Sequence, residues 1–199
     1  MDYDIENILS KLQHKDKFKS TTTLKFKRDV IEILGKGFDG DILEIGTNIG
    51  NTTVILALMG KILNKRVYSF EFVSSHIVKA AERCRLFNLK CDIIHKDVYK
   101  EEWGIGNIGC VFIDCVHTEK CFEQDMENAI KITSSVQNPI LLAHDYGLQL
   151  QNGESIANVI KRNDKKYVID KYIGESNNWN PVGTGKVVDW EGVQLKPFS

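Results

Sequence analysis

The sequence predicts an α/β fold, in which helices cover a doubly wound, mostly parallel sheet. From Asp41 onward, short apolar segments alternate with longer segments whose apolar residues recur at helical spacing. A turn containing glycine joins the first apolar segment to the first helical one. Acidic residues stand at the ends of several apolar segments, where sheets of this kind bind ligands. The three observations together predict a nucleotide-like ligand at the carboxyl edge of the sheet.

Composition predicts one domain over residues 1–199, with N-terminal helices in 1–38 and the α/β core in 39–199. The net charge of −1 gives no general attraction to nucleic acid or to an anionic membrane, so neither is an expected partner. Five cysteines without paired spacing suit a reducing compartment. No secretory signal and no membrane span are evident, so we expect a cytoplasmic protein. The oligomeric state stays open.

Two helices are predicted before the sheet. Apolar residues at positions 5, 8, 9 and 12 share one helical face, and residues 24–34 form a second such face. The polar connector 14–23 is predicted to be a solvated loop, with a lid over the site as the alternative.

The core follows from the alternation of apolar and helical segments. Strands are predicted at 41–45, 66–71, 91–95, 109–114 and 139–144, and helices near 51–63, 75–87 and 119–133. Such connections imply right-handed crossovers and parallel strands. After Asp145 the pattern predicts a helix near 153–163 and strands at 167–173, 184–189 and 192–196. The sequence DWEG at 189–192 is predicted to be a hairpin turn, which makes the last strand antiparallel.

The glycine turn, DILEIGTNIGNTT at 41–53, carries the most information about function. Gly46 and Gly50 allow a sharp turn and a close approach of main chain to a ligand. The following helix directs free N–H groups toward that ligand, which favours a polar or anionic group. A dinucleotide is disfavoured, because Asn48 and Asn51 break the spacing of glycines that holds a pyrophosphate.

This turn resembles the first motif of class I S-adenosyl-L-methionine (SAM) methyltransferases, acid-x-Gly-x-Gly-x-Gly, with Asn48 in place of the middle glycine. Asn tolerates left-handed backbone angles, so the substitution is mild. The resemblance implies a Rossmann-like sheet of seven strands with an antiparallel last strand. It also implies that Glu44, Gly46, Asn48 and Gly50 contribute to SAM binding, with Glu44 near the methionyl end.

Two acidic residues at strand ends are further candidates for binding SAM. Glu71 lies 21 positions after Gly50, where a carboxylate can accept two hydrogen bonds from a ribose diol. The alternative is that Glu71 caps the next helix. The resemblance implies that Asp97 contacts the adenine amino group, and a solvated turn residue is the alternative.

Two later segments, VFIDCVH at 111–117 and LLAHDY at 141–146, extend the resemblance. They resemble the Ile-Asp-Gly-Asp-His and His-Asp-Tyr signatures of small-molecule O-methyltransferases, near relatives of the metal-dependent sugar and catechol O-methyltransferases. Asp114 is implied to bind the cofactor or to take part in catalysis, together with His117, His144 and Asp145.

Asp114 and Asp145 end adjacent predicted strands and could hold Mg²⁺, which prefers oxygen ligands. Val116 replaces the second acid of the family's Asp-x-Asp pattern, which weakens this hypothesis. Without a metal, His117 or His144 is the natural general base, because imidazole titrates near neutral pH. A structural role for His117, capping the next helix, is the alternative.

The acceptor is expected to be a small molecule methylated on oxygen, because no Asn-Pro-Pro-Tyr or Asp-Pro-Pro-Tyr motif is present. The 174–181 loop offers amides and an indole, which suit a sugar-like ring. Two alternatives stay open: an NAD-type nucleotide-binding oxidoreductase and a non-catalytic SAM-binding interaction module. Fold resemblance alone does not choose among them.

Overall fold

The computed structural model describes residues 5–6, 9–10, 22–114, 116–181 and 185–198. Most of the predicted leading helix at 5–12 and of the 14–23 connector lies outside the described residues, as does Cys115. The described residues of the leading segment are helical, and Leu9 is buried. No helix among the described residues is both long enough and apolar enough to cross a membrane.

The chain forms helices and strands in the alternating order that the apolar pattern predicts. The helices are α1 (Leu24–Gly35), α2 (Asn51–Leu63), α3 (Ser74–Leu86), α4 (Glu119–Thr133) and α5 (Ile156–Arg162). The strands are β1 (Asp41–Ile45), β2 (Val67–Glu71), β3 (Asp92–His95), β4 (Ile108–Ile113), β5 (Ile140–His144), β6 (Leu148–Leu150), β7 (Tyr167–Ser176), β8 (Gly185–Val187) and β9 (Trp190–Pro197).

Seven strands form one sheet in the order β3-β2-β1-β4-β5-β9-β7. The pairs β1/β2, β2/β3, β1/β4 and β4/β5 are parallel, whereas β9 is antiparallel to both β5 and β7. The predicted mostly parallel sheet with an antiparallel last strand is therefore confirmed. Strand order reverses between β1 and β4, and the crevice outside their carboxyl ends is where such sheets bind ligands.

Hydrophobic residues cover both faces of this sheet. One cluster, which includes Phe26, Ile55 and Phe112, lies on the side of α1 and α2. The other, which includes Phe70 and Phe122, lies on the side of α4 and α5. All six residues of β4 are buried, as expected for a central strand covered on both faces. The centre of the sheet is thus a rigid support for whatever binds at its edge.

The predicted hairpin turn at 189–192 is wrong. Strand β9 begins at Trp190, and Gly192 pairs with His144 inside the sheet. A Cβ on Gly192 would lie 2.6 Å from Ala143 O and 2.6 Å from the Phe26 ring, so this glycine is needed for close packing and not for a turn. Strand β8 pairs with β6 in a separate two-stranded sheet instead of with β9.

Candidate active site

The glycine turn follows β1 and is hydrogen-bonded to the end of β2. Gly46 has a φ of 91° and Asn48 a φ of 48°, so the expected left-handed conformation of Asn48 is present. The N–H groups of Gly46 and Thr47 donate to Phe70 O at 3.0 and 3.3 Å. These bonds attach the turn to β2, so its shape depends on the neighbouring strand.

Gly50 has a different role from the one expected of it. Its φ is 85°, and an added Cβ would lie 2.7 Å from the Cβ of Ala80 in α3. The glycine is therefore required where α2 begins against α3, and it does not line the cavity described next. Close packing between helices is the contact it permits.

A cavity of about 450 Å³ opens at the carboxyl ends of β1, β2 and β4. This size is within the usual range for small-molecule sites. Most of the predicted site residues line it, namely Gly46, Asn48, Glu71, Asp97, Asp114, His117, His144 and Asp145. Glu44 does not line it. The convergence follows from the topology, since Asp114 N–H donates to Ile45 O at 2.9 Å and so keeps the ends of β1 and β4 together.

Glu71 is a buried carboxylate at the end of β2. Its Oε2 accepts from the N–H of Asn48 at 2.6 Å, and its Oε1 accepts from the N–H of Val73 at 2.8 Å. Val73 precedes α3, but Glu71 is not the capping residue of that helix. Each carboxylate oxygen can accept more than one hydrogen bond, so Glu71 retains capacity for a ligand's hydroxyl groups.

Asp97 lies at the other end of the cavity. Its Oδ2 is 2.8 Å from Lys100 Nζ, and its Oδ1 accepts from Tyr99 N–H at 3.2 Å. The hydrogen bond and charge of Lys100 lower the pKa of Asp97 below its ordinary value. The carboxylate is therefore ionised at neutral pH and can accept from an amino group.

The ends of β4 and β5 bring two carboxylates and two imidazoles together. His144 Nδ1 lies 3.4 Å from Asp114 Oδ1 and 3.2 Å from Asp145 Oδ1. His117 Nε2 lies 3.1 Å from Asp145 Oδ2. Thr118, not His117, caps α4, because its hydroxyl accepts from Cys121 N–H. The capping alternative for His117 is thus wrong.

His144 is enclosed by acids on both sides. Its Nε2 lies 3.3 Å from Oε1 of Glu191, a fully buried residue of β9. Burial alone would lower the pKa of His144, yet Asp145 and Asp114 raise it well above its ordinary value. Burial likewise opposes ionisation of Asp145, but His144 and His117 lower its pKa. The two opposite pKa shifts favour an ion pair between a charged His144 and an ionised Asp145.

This arrangement does not fit Mg²⁺. Asp114, His144 and Asp145 each offer one ligand atom, and these atoms lie within 4.8 Å of one another, but one of the three is an imidazole nitrogen. Mg²⁺ is held by oxygen ligands and water, and a set containing imidazole suits other metals better. We therefore derive no chemical step that requires Mg²⁺.

Sequence patterns missed Glu191, because its segment was assigned to a turn. Its two oxygens accept from Thr23 N–H at 2.8 Å and from the Thr23 hydroxyl at 2.5 Å, besides facing His144. An acid beside the alternating apolar residues Val193 and Leu195 was the available signal. Glu191 therefore links Thr23, at the start of α1, to His144.

A second missed pair flanks the cavity. Asp125, fully buried in α4, accepts from the Tyr99 hydroxyl at 3.0 Å, and Tyr99 lines the cavity. Burial raises the pKa of Asp125 to about 7.

Trp179, which follows β7, packs edge-on to His144 at 5.8 Å and donates its indole N–H to Asp189 O at 3.0 Å. The indole N–H of Trp179 is therefore already hydrogen-bonded within the protein, whereas its ring packs against His144.

Comparison with known proteins identifies the fold. Neither protein-family models nor curated protein sequences match this chain. Among solved structures, an S-adenosylhomocysteine (SAH)-bound methyltransferase from Podospora anserina matches with a TM-score of 0.66 and 11% identity, covering 100% of this chain and 89% of that one. A SAM-dependent O-methyltransferase from Thermotoga maritima matches with a TM-score of 0.66 and 11% identity, covering 94% and 70%.

An rRNA methylase from Streptococcus thermophilus matches with a TM-score of 0.58 and 14% identity, covering 86% of this chain and 96% of that one. Identities this low demonstrate a common fold and nothing finer. The chain therefore has the fold of the SAM-dependent methyltransferases, and these similar structures include proteins with different acceptors.

Proposed function

We propose that this protein is a SAM-dependent methyltransferase that moves a methyl group to an oxygen of a small, sugar-like acceptor. The observation that carries the proposal is the convergence of Gly46, Glu71 and Asp114 on one cavity at the reversal of strand order. A ligand there would meet exposed main chain at the turn, a hydrogen-bond acceptor on β2 and a carboxylate on β4. Those are the groups that a sulfonium nucleoside requires.

In this proposal each of three cavity residues binds a different part of SAM. Glu71 accepts from the ribose hydroxyls, Asp97 accepts from the adenine amino group, and Asp114 accepts from the ammonium of the methionyl end. Gly46 and Asn48, which belong to the glycine turn, line the same cavity. Bound SAM would supply an electrophilic methyl group on a positively charged sulfur.

His117 is the proposed general base. Its Nε2 faces Asp145 Oδ2 at 3.1 Å, which orients the ring and leaves Nδ1 to take a proton. The acceptor oxygen bonds to the methyl carbon while the carbon–sulfur bond breaks, the sulfur keeps the bonding electrons, and the hydroxyl proton passes to His117. His144 is too buried and too surrounded by acids for this task, and it positions Asp114 and Asp145 instead.

A sugar-like acceptor is supported by aromatic side chains beside the cluster. The rings of Tyr146 and Tyr172 lie 5.5 Å apart, and Tyr172 stacks on Trp190 at 5.7 Å. Tyr172 is 41% exposed, so this row of rings offers a surface on which the apolar face of a sugar can lie. Tyr146 directly follows Asp145 in the chain, whereas the three rings lie outside the lining of the cavity.

Two measurements test the proposal. Calorimetry with SAH and with NAD should give binding of SAH and none of NAD. Incubation with methyl-labelled SAM and a panel of sugars and phenols should then give O-methylated product, identified by mass spectrometry and NMR. Preference for NAD would indicate an oxidoreductase, and SAH binding without transfer to any acceptor would indicate an interaction module. Either result would refute the proposal.

A further inference from the structure

A row of oxygen atoms lies beneath the glycine turn, outside the cavity. Glu44 Oε2 is 2.5 Å from the Ser69 hydroxyl, which is 2.5 Å from the Thr47 hydroxyl, which in turn is 3.2 Å from Phe70 O. Thr53, in the first turn of α2, donates its hydroxyl to Glu44 Oε2 at 2.6 Å. Glu44, Thr47, Thr53 and Ser69 are all buried.

Two orders of the hydrogens fit this row, because either hydroxyl can be the donor between Thr47 and Ser69. In the first order, an ionised Glu44 accepts from Ser69, Ser69 accepts from Thr47, and Phe70 O accepts only from backbone N–H groups. In the second order, the Thr47 hydroxyl donates to Phe70 O, Ser69 donates to Thr47, and Glu44 carries a proton that it donates to Ser69. Only this second order, with Glu44 protonated, uses the 3.2 Å contact between the Thr47 hydroxyl and Phe70 O.

The surroundings of Glu44 favour the same state. Its Oε1 is buried and has no hydrogen-bond partner among the described residues, which costs much more for a carboxylate than for a neutral acid. The other ionisable groups that act on it are Asp114 and Glu71, at the ends of β4 and β2, and the thiols of Cys84 and Cys91. Burial, together with the charges of Asp114 and Glu71, raises the pKa of Glu44 to about 8.

We propose that Glu44 is a positioning residue that works as a neutral acid, whose proton begins a one-way chain of hydrogen bonds ending on Phe70 O. Phe70 O also accepts from the N–H groups of Gly46 and Thr47, so the chain holds the turn in the shape that lines the cavity. The effect on ligand affinity rests on the proposed function, whereas the protonation of Glu44 does not.

Ionisation of Glu44 would reverse the chain. Ser69 would turn its hydrogen to the carboxylate, Thr47 would turn its hydrogen to Ser69, and Phe70 O would lose the Thr47 hydroxyl. One neutral hydrogen bond at the turn is then lost, which corresponds to about a three- to tenfold loss of ligand affinity. The loss should develop as the pH rises through about 8, the pKa of Glu44.

Glu44→Gln is the closest variant, because its amide N–H can donate to Ser69 as the acid does but cannot ionise; the Thr53 hydroxyl loses its acceptor in this variant. Infrared difference spectra between the two proteins should show a protonated carboxyl band at neutral pH that disappears above pH 8. The Asp125→Asn background is needed, because Asp125 is a second buried acid with a raised pKa. Absence of the band would overturn the proposal, and the wild-type pH titration in that background gives the same answer if Glu44→Gln does not fold.

SAH calorimetry between pH 7 and 9 tests the positioning role. Between pH 7 and 9, the SAH affinity of the wild type should fall by more than the SAH affinity of Glu44→Gln. Titration of the ammonium group of SAH affects both proteins equally. Ser69→Ala should lower the affinity at all pH values, and it should abolish the difference between the wild-type and Glu44→Gln backgrounds. Equal pH profiles for wild type and Glu44→Gln would overturn the role. Failure of every variant to bind SAH would refute the proposed function, whereas the infrared band would still decide the protonation of Glu44.

Discussion

His117 Nε2 lies 3.1 Å from Asp145 Oδ2, at the point where the loop after β4 meets the end of β5. His117 is partly exposed to the cavity, whereas Asp145 is buried and has a φ of 56°. A left-handed conformation is uncommon outside glycine, and Asp and Asn are among the residues that tolerate it best. The backbone at Asp145 therefore turns the carboxylate toward both histidines.

Substitution of this pair should remove catalysis and retain ligand binding. Asp145→Asn preserves the left-handed backbone while removing the charge, and His117→Gln removes the base. Each should lower the rate of methyl transfer about 10²- to 10⁴-fold, the usual contribution of a general base, with SAH affinity nearly unchanged. Single-turnover transfer and SAH calorimetry measure the two quantities. His95→Gln, at an exposed histidine of β3, is the control; equal effects on it and on His117→Gln would contradict the assignment.

Glu71→Gln should act on binding instead of chemistry. The variant removes a charged acceptor from the proposed ribose contact and from the N–H of Asn48. Charged hydrogen bonds contribute about 1.5 to 3 kcal/mol, so SAH affinity should fall roughly 10- to 100-fold. Calorimetry against Glu82→Gln, an exposed acid of α3, checks this expectation. Unchanged affinity would mean that the ligand lies elsewhere.

Gly50→Ala should destabilise the fold at the start of α2. The added Cβ would lie 2.7 Å from Ala80 Cβ on a backbone with a φ of 85°. Overpacking of this kind costs about 1 to 3 kcal/mol, measurable by urea unfolding. Ala80→Gly should restore part of the loss. Gly35→Ala, where nothing lies within 4 Å, should be neutral or stabilising, and a similar loss there would contradict the packing explanation.

Chelators should leave the protein's activity unchanged. His144 Nδ1 lies 3.4 Å from Asp114 Oδ1 and 3.2 Å from Asp145 Oδ1, so the imidazole can bridge the two side chains without a divalent cation. Methyl transfer assayed with EDTA and with added Mg²⁺ should be equal. Stimulation by Mg²⁺ that EDTA abolishes would show that the His144 ring moves aside for a metal.

The free energy of unfolding should depend on pH through Glu44. Its pKa is about 8 in the folded protein against 4.5 as the ordinary value, so the folded state binds an extra proton between these pH values. Stability must then fall as the pH rises from 4.5 to 8 and level off above 8. The effect is on the order of a few kcal/mol, since one pKa unit is about 1.36 kcal/mol. Urea unfolding of wild type and Glu44→Gln should diverge over this window, and parallel profiles would exclude a protonated Glu44.

Much of the sheet could be predicted because its strands are buried on both faces. Short, mainly apolar segments such as 41–45 and 109–114 have few alternatives to a central parallel strand, and their limits agree with β1 and β4 within one residue. The glycine turn and the acids at strand ends were recognisable for the same local reason. Parallel topology then brings the ends of β1, β2 and β4 to one edge.

The carboxyl-terminal part was less predictable, because distant contacts determine it. Trp190, Glu191 and Gly192 have the composition of a turn, yet β5 and β7 on either side make them a strand. Gly192 is small because Phe26 and Ala143 lie against it, and no local pattern contains those neighbours. The same holds for Gly50, whose requirement comes from Ala80 in the next helix.

Local pattern thus sufficed for the fold class, the order of strands along the chain and the candidate acids, since each depends on residues near one another in sequence. The protonation states depend on burial and on charges from separate strands, so only the assembled molecule decided them. The pKa of Glu44 is raised because burial beneath β2 and α2 disfavours its charge, as do Asp114 and Glu71. The pKa of His144 is raised because Asp145 and Asp114, from the ends of two strands, outweigh the effect of its burial.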